Sequence, residues 1–372
     1  METAERLYLK NFGPIKELDI EIKPLMVFIG ESGSGKSAIL KLMSLLRWVH
    51  KQNNLANFFQ EEINKNIFFK NLQTSEIEEF ISEKTEIVFD LGCAKYQLKN
   101  GKFEVTKCYD TTFDKVIFLS ENRGILPNIF NQDFSLNMEI PYHLEDTFFN
   151  FKNAIKQKKD FFIEATKLTL FEKKSEFHSE YFVKGDDFEM KFKNASSGTK
   201  NASFLELIVN YISQKYDFNE VLQNENKRRG LGGGKTGKIF NNAKNLSIFI
   251  EEPELSLFPS AQRRLINRLI KDCFVENKQK DCTTRLAFAT HSPYIVNHLN
   301  LLMEAFDREN TEFTDGASIS YDDLGVWLIQ DGVLRDLKAR NKHFIDVMPL
   351  SDDINDIYEK YKILKNGQSI SE

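Results

Sequence analysis

Gly30-Glu31-Ser32-Gly33-Ser34-Gly35-Lys36-Ser37 fits the pattern GxxxxGK[ST] at every defined position. Glycines let such a loop curl until successive backbone N–H groups converge. A helix opening at Lys36-Ser37-Ala38 adds its positive end, and together they suit the phosphates of a nucleotide. Lys36 is expected to reach the β- and γ-phosphates, and Ser37 to hold Mg²⁺ through its hydroxyl. A second constellation is Glu251-Glu252-Pro253-Glu254, directly after the apolar run Ile248-Phe249-Ile250. An acid at the end of a buried strand can hold the Mg²⁺ shell, and Glu251 has that position. Glu252 follows as the group to polarise an attacking water, with Glu254 as the alternate. His291, in Thr290-His291-Ser292-Pro293, ends another apolar run and can donate a hydrogen bond to a γ-phosphate. Ser196-Ser197-Gly198 opens a helical segment, which makes either an anion site or an ordinary N-cap.

These groups need strands that end together. Leu25 to Ile29, Val116 to Leu119, Ile248 to Ile250 and Leu286 to Ala289 are short apolar runs, as expected for strands buried on both faces. Leu7-Tyr8-Leu9 and Leu18 to Ile22 flank the turn signal Asn11-Phe12-Gly13-Pro14 and read as a strand pair. Alternating runs around Asn100-Gly101 predict a hairpin within 85–109. Helices are expected from Lys36 to about His50, after Ser197, and from Gln262 to Phe274. Residues 140–180, rich in Lys and Phe, are expected to be mostly helical. Strands alternating with helices predict an α/β fold of the P-loop NTPase class: a mainly parallel sheet flanked by helices, an antiparallel β subdomain and a helical insertion. The expected divisions are an N-terminal lobe at 1–125, an insertion at 126–190 and a C-terminal lobe at 191–372. The last contains a flexible, basic, Gly-rich loop at 223–244.

The 372 residues carry 50 Lys+Arg against 55 Asp+Glu, a formal charge of −5, which excludes a uniformly basic nucleic-acid sleeve but not local basic patches. The four cysteines form no CxxC, so zinc and redox motifs are not indicated. With no apolar run of membrane length and a charged N-terminus, a cytoplasmic protein without membrane contact is the expectation. The 33 phenylalanines accompany abundant Lys, Asn and Ile and are read as a codon effect. However, Phe148, Phe149, Phe151, Phe161 and Phe162 cluster among lysines, where a partner is expected to grip.

Taken together, these motifs resemble the ABC-type ATPase heads of the SMC-like and RecF-like families. More closely, they resemble the compact AAA-named ATPases of bacterial anti-phage and overcoming-lysogenization-defect systems. The resemblance rests on Asn11-Phe12-Gly13-Pro14-Ile15, the phosphate loop, Ser196-Ser197-Gly198, the run Glu251 to Pro259, and Ala289 to Pro293, in that order. It implies a head-to-tail homodimer with two ATP molecules and Mg²⁺ in the interface. Ser197 and Gly198 would contact the γ-phosphate in trans, and Ser256 to Pro259 would form the D-loop. It also implies nucleotide contacts for Asn11 and for Arg123 of Ser120-Glu121-Asn122-Arg123. Gln132 is the nearest candidate for a Q-loop.

Departures from the family pattern are Ser32 for Asn, Glu251 for Asp, and Thr199-Lys200 where Gln or Glu is common; they fit slow turnover. No heptads fill the stretch between Lys36 and Asn194, which argues against a coiled coil. The stretch after His291 is short for a Toprim nuclease domain, and Asp352-Asp353 reads as a helix start. A sensor or scaffold ATPase controlling a separate effector, a nuclease or toxin, is therefore expected, with anti-phage defence as its setting. The alternative is a RecF-like repair ATPase that binds DNA itself through Lys227-Arg228-Arg229 with Lys235 and Lys238, or through Lys152, Lys156, Lys158 and Lys159. A transporter nucleotide-binding subunit fits the lead-in and the acidic motif poorly.

Overall fold

The computed structural model describes residues 4–61, 66–106, 112–129, 142–158, 160–174, 179–228, 243–278, 282–339 and 343–365. The chain begins with strands β1 (Arg6–Phe12), β2 (Ile15–Glu21) and β3 (Leu25–Gly30), followed by helices α1 (Lys36–Phe59) and α2 (Ile67–Leu72). Strands β4 (Glu86–Asp90), β5 (Lys95–Lys99), β6 (Lys102–Thr106) and β7 (Phe113–Leu119) come next, then α3 (Leu126–Ile129) and α4 (Tyr142–Gln157). A second set of strands follows: β8 (Asp160–Ile163), β9 (Leu168–Lys174), β10 (Ser179–Lys184) and β11 (Glu189–Lys191). Helices α5 (Ser197–Lys215) and α6 (Phe218–Arg228) lead to β12 (Lys244–Glu251), α7 (Pro259–Ile270), β13 (Cys282–Thr290) and α8 (Pro293–Asp307). The chain closes with β14 (Leu324–Gln330), β15 (Val333–Asp336) and α9 (Asp352–Lys365).

Eleven strands form one sheet in the order β6-β5-β4-β1-β2-β15-β14-β3-β13-β12-β7. From β14 to β7 every neighbour is parallel. Parallel strands need both faces covered, and their alternation divides the core in two. Val27, Ile29, Ile250 and Phe288 pack with α5, α7 and α8 on one face. Met26, Phe28, Phe249 and Ala289 pack under α1 on the other. The antiparallel strands continue the same sheet, joined where Val333 of β15 pairs with Glu17 of β2.

The β5–β6 hairpin turns at Asn100-Gly101, both at positive φ, as the dipeptide requires. The stretch expected to be mostly helical differs. Among its described residues only Tyr142–Gln157 is helix, and β8 to β11 form a four-stranded antiparallel sheet. The reason is a period of two: in β8, Phe161 and Ile163 are buried while Asp160 and Phe162 are exposed. The aromatic cluster divides accordingly. Phe148, Phe151 and Phe161 are core residues, and only Phe149 and Phe162 face solvent. Gln132, Arg229 and Lys159 lie outside the described residues, as does most of the basic Gly-rich loop, including Lys235 and Lys238. Asp352 does open a helix.

Candidate functional site

β3 delivers the chain to Gly30, and the loop to Gly35 carries it into α1, whose N-cap is Gly35 in the left-handed region (φ 105°). A Cβ there would lie 2.7 Å from Ile15 Cδ1 and 2.9 Å from Pro14 Cγ, so the β1–β2 turn presses on the loop and only glycine fits. Glu31, Ser32 and Gly33 are exposed; Ser34 and Ser37 are half-buried, and Ala38 is packed in the core. Lys36 is buried. Its Nζ donates to the Gly30 and Glu31 carbonyls at 2.8 and 2.6 Å, with Ser34 Oγ at 3.4 Å. Burial lowers its pKa, opposed by the charges of Glu252, Glu254 and Glu31.

β12 and β13 run side by side, with Glu251 level with Ala289. Glu251 is buried, which raises its pKa, opposed by the charge of Lys41 and by the nearby Ser37 hydroxyl, and its Oε2 accepts the Glu121 N–H at 3.4 Å. The two groups assigned to Mg²⁺ are thus neighbours. Glu252 sits at φ 42° and donates its N–H to the Ala289 carbonyl at 2.9 Å, turning its side chain out of the strand line. His291 Nε2 is 3.6 Å from Glu252 Oε1. Glu254 accepts the His291 N–H at 2.5 Å through Oε1, which fixes the strand end carrying the histidine. Its Oε2 is buried without a hydrogen-bond partner. A hydroxyl beside a carboxylate, with a half-buried glutamate next to a histidine and an unsatisfied buried carboxylate oxygen, is a donor set that fits a hydrated Mg²⁺, and Lys36 suits the phosphates of a nucleotide.

Arg123 is fully buried beneath this site. Its fork donates to the carbonyls of Ser120 (2.8 Å), Glu251 (2.7 Å) and Glu252 (2.8 Å). Burial lowers its pKa to about 10, and it stays charged at neutral pH. The arginine expected beside the nucleotide instead holds the backbone that carries the two glutamates. Asn11 is also turned to another partner, donating to the Lys84 carbonyl at 3.1 Å.

Ser196 caps α5 and accepts the Thr199 N–H at 3.2 Å, so the ordinary cap and the exposed Ser197 coexist. Gly198 faces the chain's own 256–257 turn, where a Cβ would lie 2.4 Å from the Ser256 carbonyl oxygen. Asn201 of the same helix donates to Leu255 at 3.4 Å. A relay then runs from the Leu257 carbonyl through Gln262 (2.9 Å) to the Ser292 hydroxyl (2.6 Å), beside His291. Phe258, between these groups, is 78% exposed. Of the lysines considered for DNA, Lys158 is tied to Asn210 at 2.6 Å and Lys152 lies over the Phe148 ring.

Two parts of the site escape sequence reading. Glu121 joins it through its backbone, which no side-chain motif announces. The turn Gln330-Asp331-Gly332 lines a cavity of about 460 Å³ with Glu31, Ser32, Gly33, Pro14 and Lys16. Asp-Gly signals only a tight hairpin; its place beside the phosphate loop follows from β14 pairing with β3.

A family model described as AAA ATPase domain matches residues 4–122 and 120–296. The DNA replication and repair protein RecF of Leptospira biflexa serovar Patoc is 31% identical over 102 residues, which is 27% of this chain and 26% of that protein. The match thus spans about a quarter of the relative's length. Among solved structures, the SMC head domain from Thermotoga maritima aligns at 13% identity with a TM-score of 0.38, over 90% of this chain and 98% of that one. The structure of the recombination mediator protein RecF-ATPrS in the RecFOR pathway aligns at 11% identity with a TM-score of 0.37, over 90% and 99%. Among the described residues, no helix is long and apolar enough to cross a membrane.

Proposed function

The chain belongs to the AAA ATPase domain family, and on that premise we propose that it binds Mg²⁺–ATP at Gly30–Ser37 and hydrolyses it between two copies of itself. The observation that carries the reading is Ser37 beside Glu251, next to the Glu252–His291 pair. Bound Mg²⁺ supplies charge neutralisation at the phosphates, held by Ser37 and Glu251. Lys36 turns from the loop carbonyls to phosphate oxygens. Glu252 orients water and accepts its proton, and His291 supports that carboxylate and donates toward the γ-phosphate. Ser197 and Gly198 of a second copy complete the site in trans, with the exposed Phe258 in the same interface. Hydrolysis then releases the copies, which makes ATP a switch of assembly.

Control of a separate nuclease or toxin in anti-phage defence is the finer part of this proposal. It is supported by the resemblance to compact defence ATPases, and co-purification with the products of neighbouring genes tests it. Direct DNA binding is the second reading, favoured by the partial similarity to RecF. Steeply salt-dependent binding by the isolated chain would support it. The central test is Glu252→Gln with ATP. The expected result is ATP retention, turnover reduced by about a hundredfold or more, and a stable dimer or larger assembly. A variant that holds ATP yet stays monomeric would overturn the shared-site mechanism.

A further inference from the structure

The last helix, α9, is bare of packing along most of its length. From Asn355 to Lys365 every residue is exposed except the half-buried Ile363. A helix this short is marginal in water unless an apolar face is covered. Such a face is present. Ile354, Ile357, Tyr361 and Leu364 follow one another at intervals of three, four and three, the spacing by which two helices pack along a seam. Ile357 is 66% exposed, Tyr361 55% and Leu364 79%. Tyr358 borders the stripe, with its ring stacked 6.5 Å from that of Tyr361. Contiguous exposed apolar surface of this kind marks an interaction site.

The charges of the same helix say what fits there. Asp352, Asp353, Asp356 and Glu359 lie in its first half, and Lys360, Lys362 and Lys365 in its second. A second α9 laid antiparallel sets the acidic half of each helix against the basic half of the other, whereas a parallel one sets like against like. Centred on Glu359, the antiparallel pair also seats Ile357 of each copy beside Tyr361 of the other. Within one helix Lys360 meets Asp356 at 2.5 Å and Lys362 meets Glu359 at 3.0 Å. All four side chains are about half exposed or more, where such pairs contribute little, so they do not hold the charges back from a facing helix. The segment before α9 is rooted away from the nucleotide. Asn300, two turns into α8 from the end beside His291, exchanges hydrogen bonds with Ile345 at 2.8 and 3.1 Å.

We propose that α9 is a second self-interface of this chain, pairing antiparallel with α9 of another copy through the Ile357, Tyr361 and Leu364 stripe. The pairing needs no nucleotide. Combined with the ATP-shared dimer it links dimers into larger assemblies, because a protomer with two different two-fold interfaces does not stop at two copies; this linking step alone rests on the function proposed above.

Sedimentation of the full, nucleotide-free chain over a range of concentrations tests the pairing. A monomer–dimer equilibrium is expected. Ile357→Gln with Leu364→Gln should weaken it at least about tenfold with an unchanged circular dichroism spectrum, since both residues are exposed. Sodium chloride should weaken the wild-type dimer by screening the facing charges. A chain with Lys360→Glu, Lys362→Glu and Lys365→Glu, and one with Asp352→Lys, Asp356→Lys and Glu359→Lys, should each stay monomeric alone and dimerise when mixed. A chain that is monomeric throughout overturns the proposal and leaves the stripe to a different protein. A dimer indifferent to the two glutamines, one that tightens with salt, or charge-reversed chains that associate as well alone as mixed also overturn it. With ATP, Glu252→Gln should pass beyond the dimer, and the same chain with both α9 glutamines should stop at it. Equal assembly by these two overturns the linking, whereas a failure of both to dimerise with ATP counts against the shared nucleotide site and not against α9.

Discussion

Replacing Arg123 should separate holding the site from touching the nucleotide. The guanidinium makes three charge-assisted bonds, to the carbonyls of Ser120, Glu251 and Glu252. Such bonds contribute about 1.5–3 kcal/mol each. Against them stands the burial that lowers its pKa from 12.5 to about 10, equivalent to about 3 kcal/mol. Arg123→Ala should therefore lose about 2–6 kcal/mol, read as a lower urea midpoint at unchanged m-value. Arg123→Lys keeps the charge but cannot span three carbonyls, and should lose about half as much. Because the affected backbone carries Glu251 and Glu252, the Lys variant should show turnover reduced by about a hundredfold. Its ATP affinity should fall by less than about fivefold, since Lys36 and the loop are untouched. A variant of wild-type stability whose only defect is weak ATP binding would refute this reasoning and return Arg123 to the nucleotide.

Three other outcomes follow from the same geometry. Gly198→Ala puts a methyl 2.4 Å from the Ser256 carbonyl; it should cost about 1–3 kcal/mol and depress turnover more than ATP binding, as steady-state kinetics beside equilibrium titration would show. Phe258→Asp changes a residue that is 78% exposed, so monomer stability should move by no more than about 0.5 kcal/mol. The ATP-dependent dimer of the Glu252→Gln background should nevertheless disappear in sedimentation runs. His298, bonded to Asn267 at 2.6 Å, has its pKa lowered from 6.5 to about 4 by burial and by Arg263, against Asp315. The unfolded chain then binds the extra proton first, so stability is complete above pH 6.5 and is lost as pH falls toward 4. The loss is about 3 kcal/mol, and His298→Gln should flatten it in urea titrations across that window.

The parts legible in the sequence are those whose chemistry is local. The phosphate loop needs its glycines and lysine within eight consecutive positions, and the acidic and histidine strand ends each follow an apolar run. Parallel packing against both faces leaves its mark on the buried runs 25–29, 246–251 and 286–290 of β3, β12 and β13. The residues misread are those whose partners lie far along the chain. Arg123 stands beside an acidic turn in sequence as a candidate ligand, but two of its three partners are carbonyls about 130 positions on, and a carbonyl has no residue type to read. Glu121 enters the site by its amide for the same reason. In 160–191, Phe and Lys mix on both sides of the strands, which masks the alternation until the pairing Phe171–Phe182 is seen.

This difference has a mechanistic consequence. The side chains proposed to meet phosphate come from motifs, whereas the scaffold that sets their separation comes from backbone contacts between distant segments. Glu251 lies near Ser37 with β12 held beside β7 by seven successive pairings and at its tip by Arg123. The Glu251 carboxylate lies on the α1 side of its strand, where its Oε2 accepts the Glu121 N–H near the Ser37 hydroxyl. Shortening it should not simply restore a better Mg²⁺ ligand. Glu251→Asp would withdraw the carboxylate from both donors, so weaker Mg²⁺-dependent ATP binding is the expected result. Tighter binding in that variant would show that the strand ends, rather than the side chain, set the metal geometry.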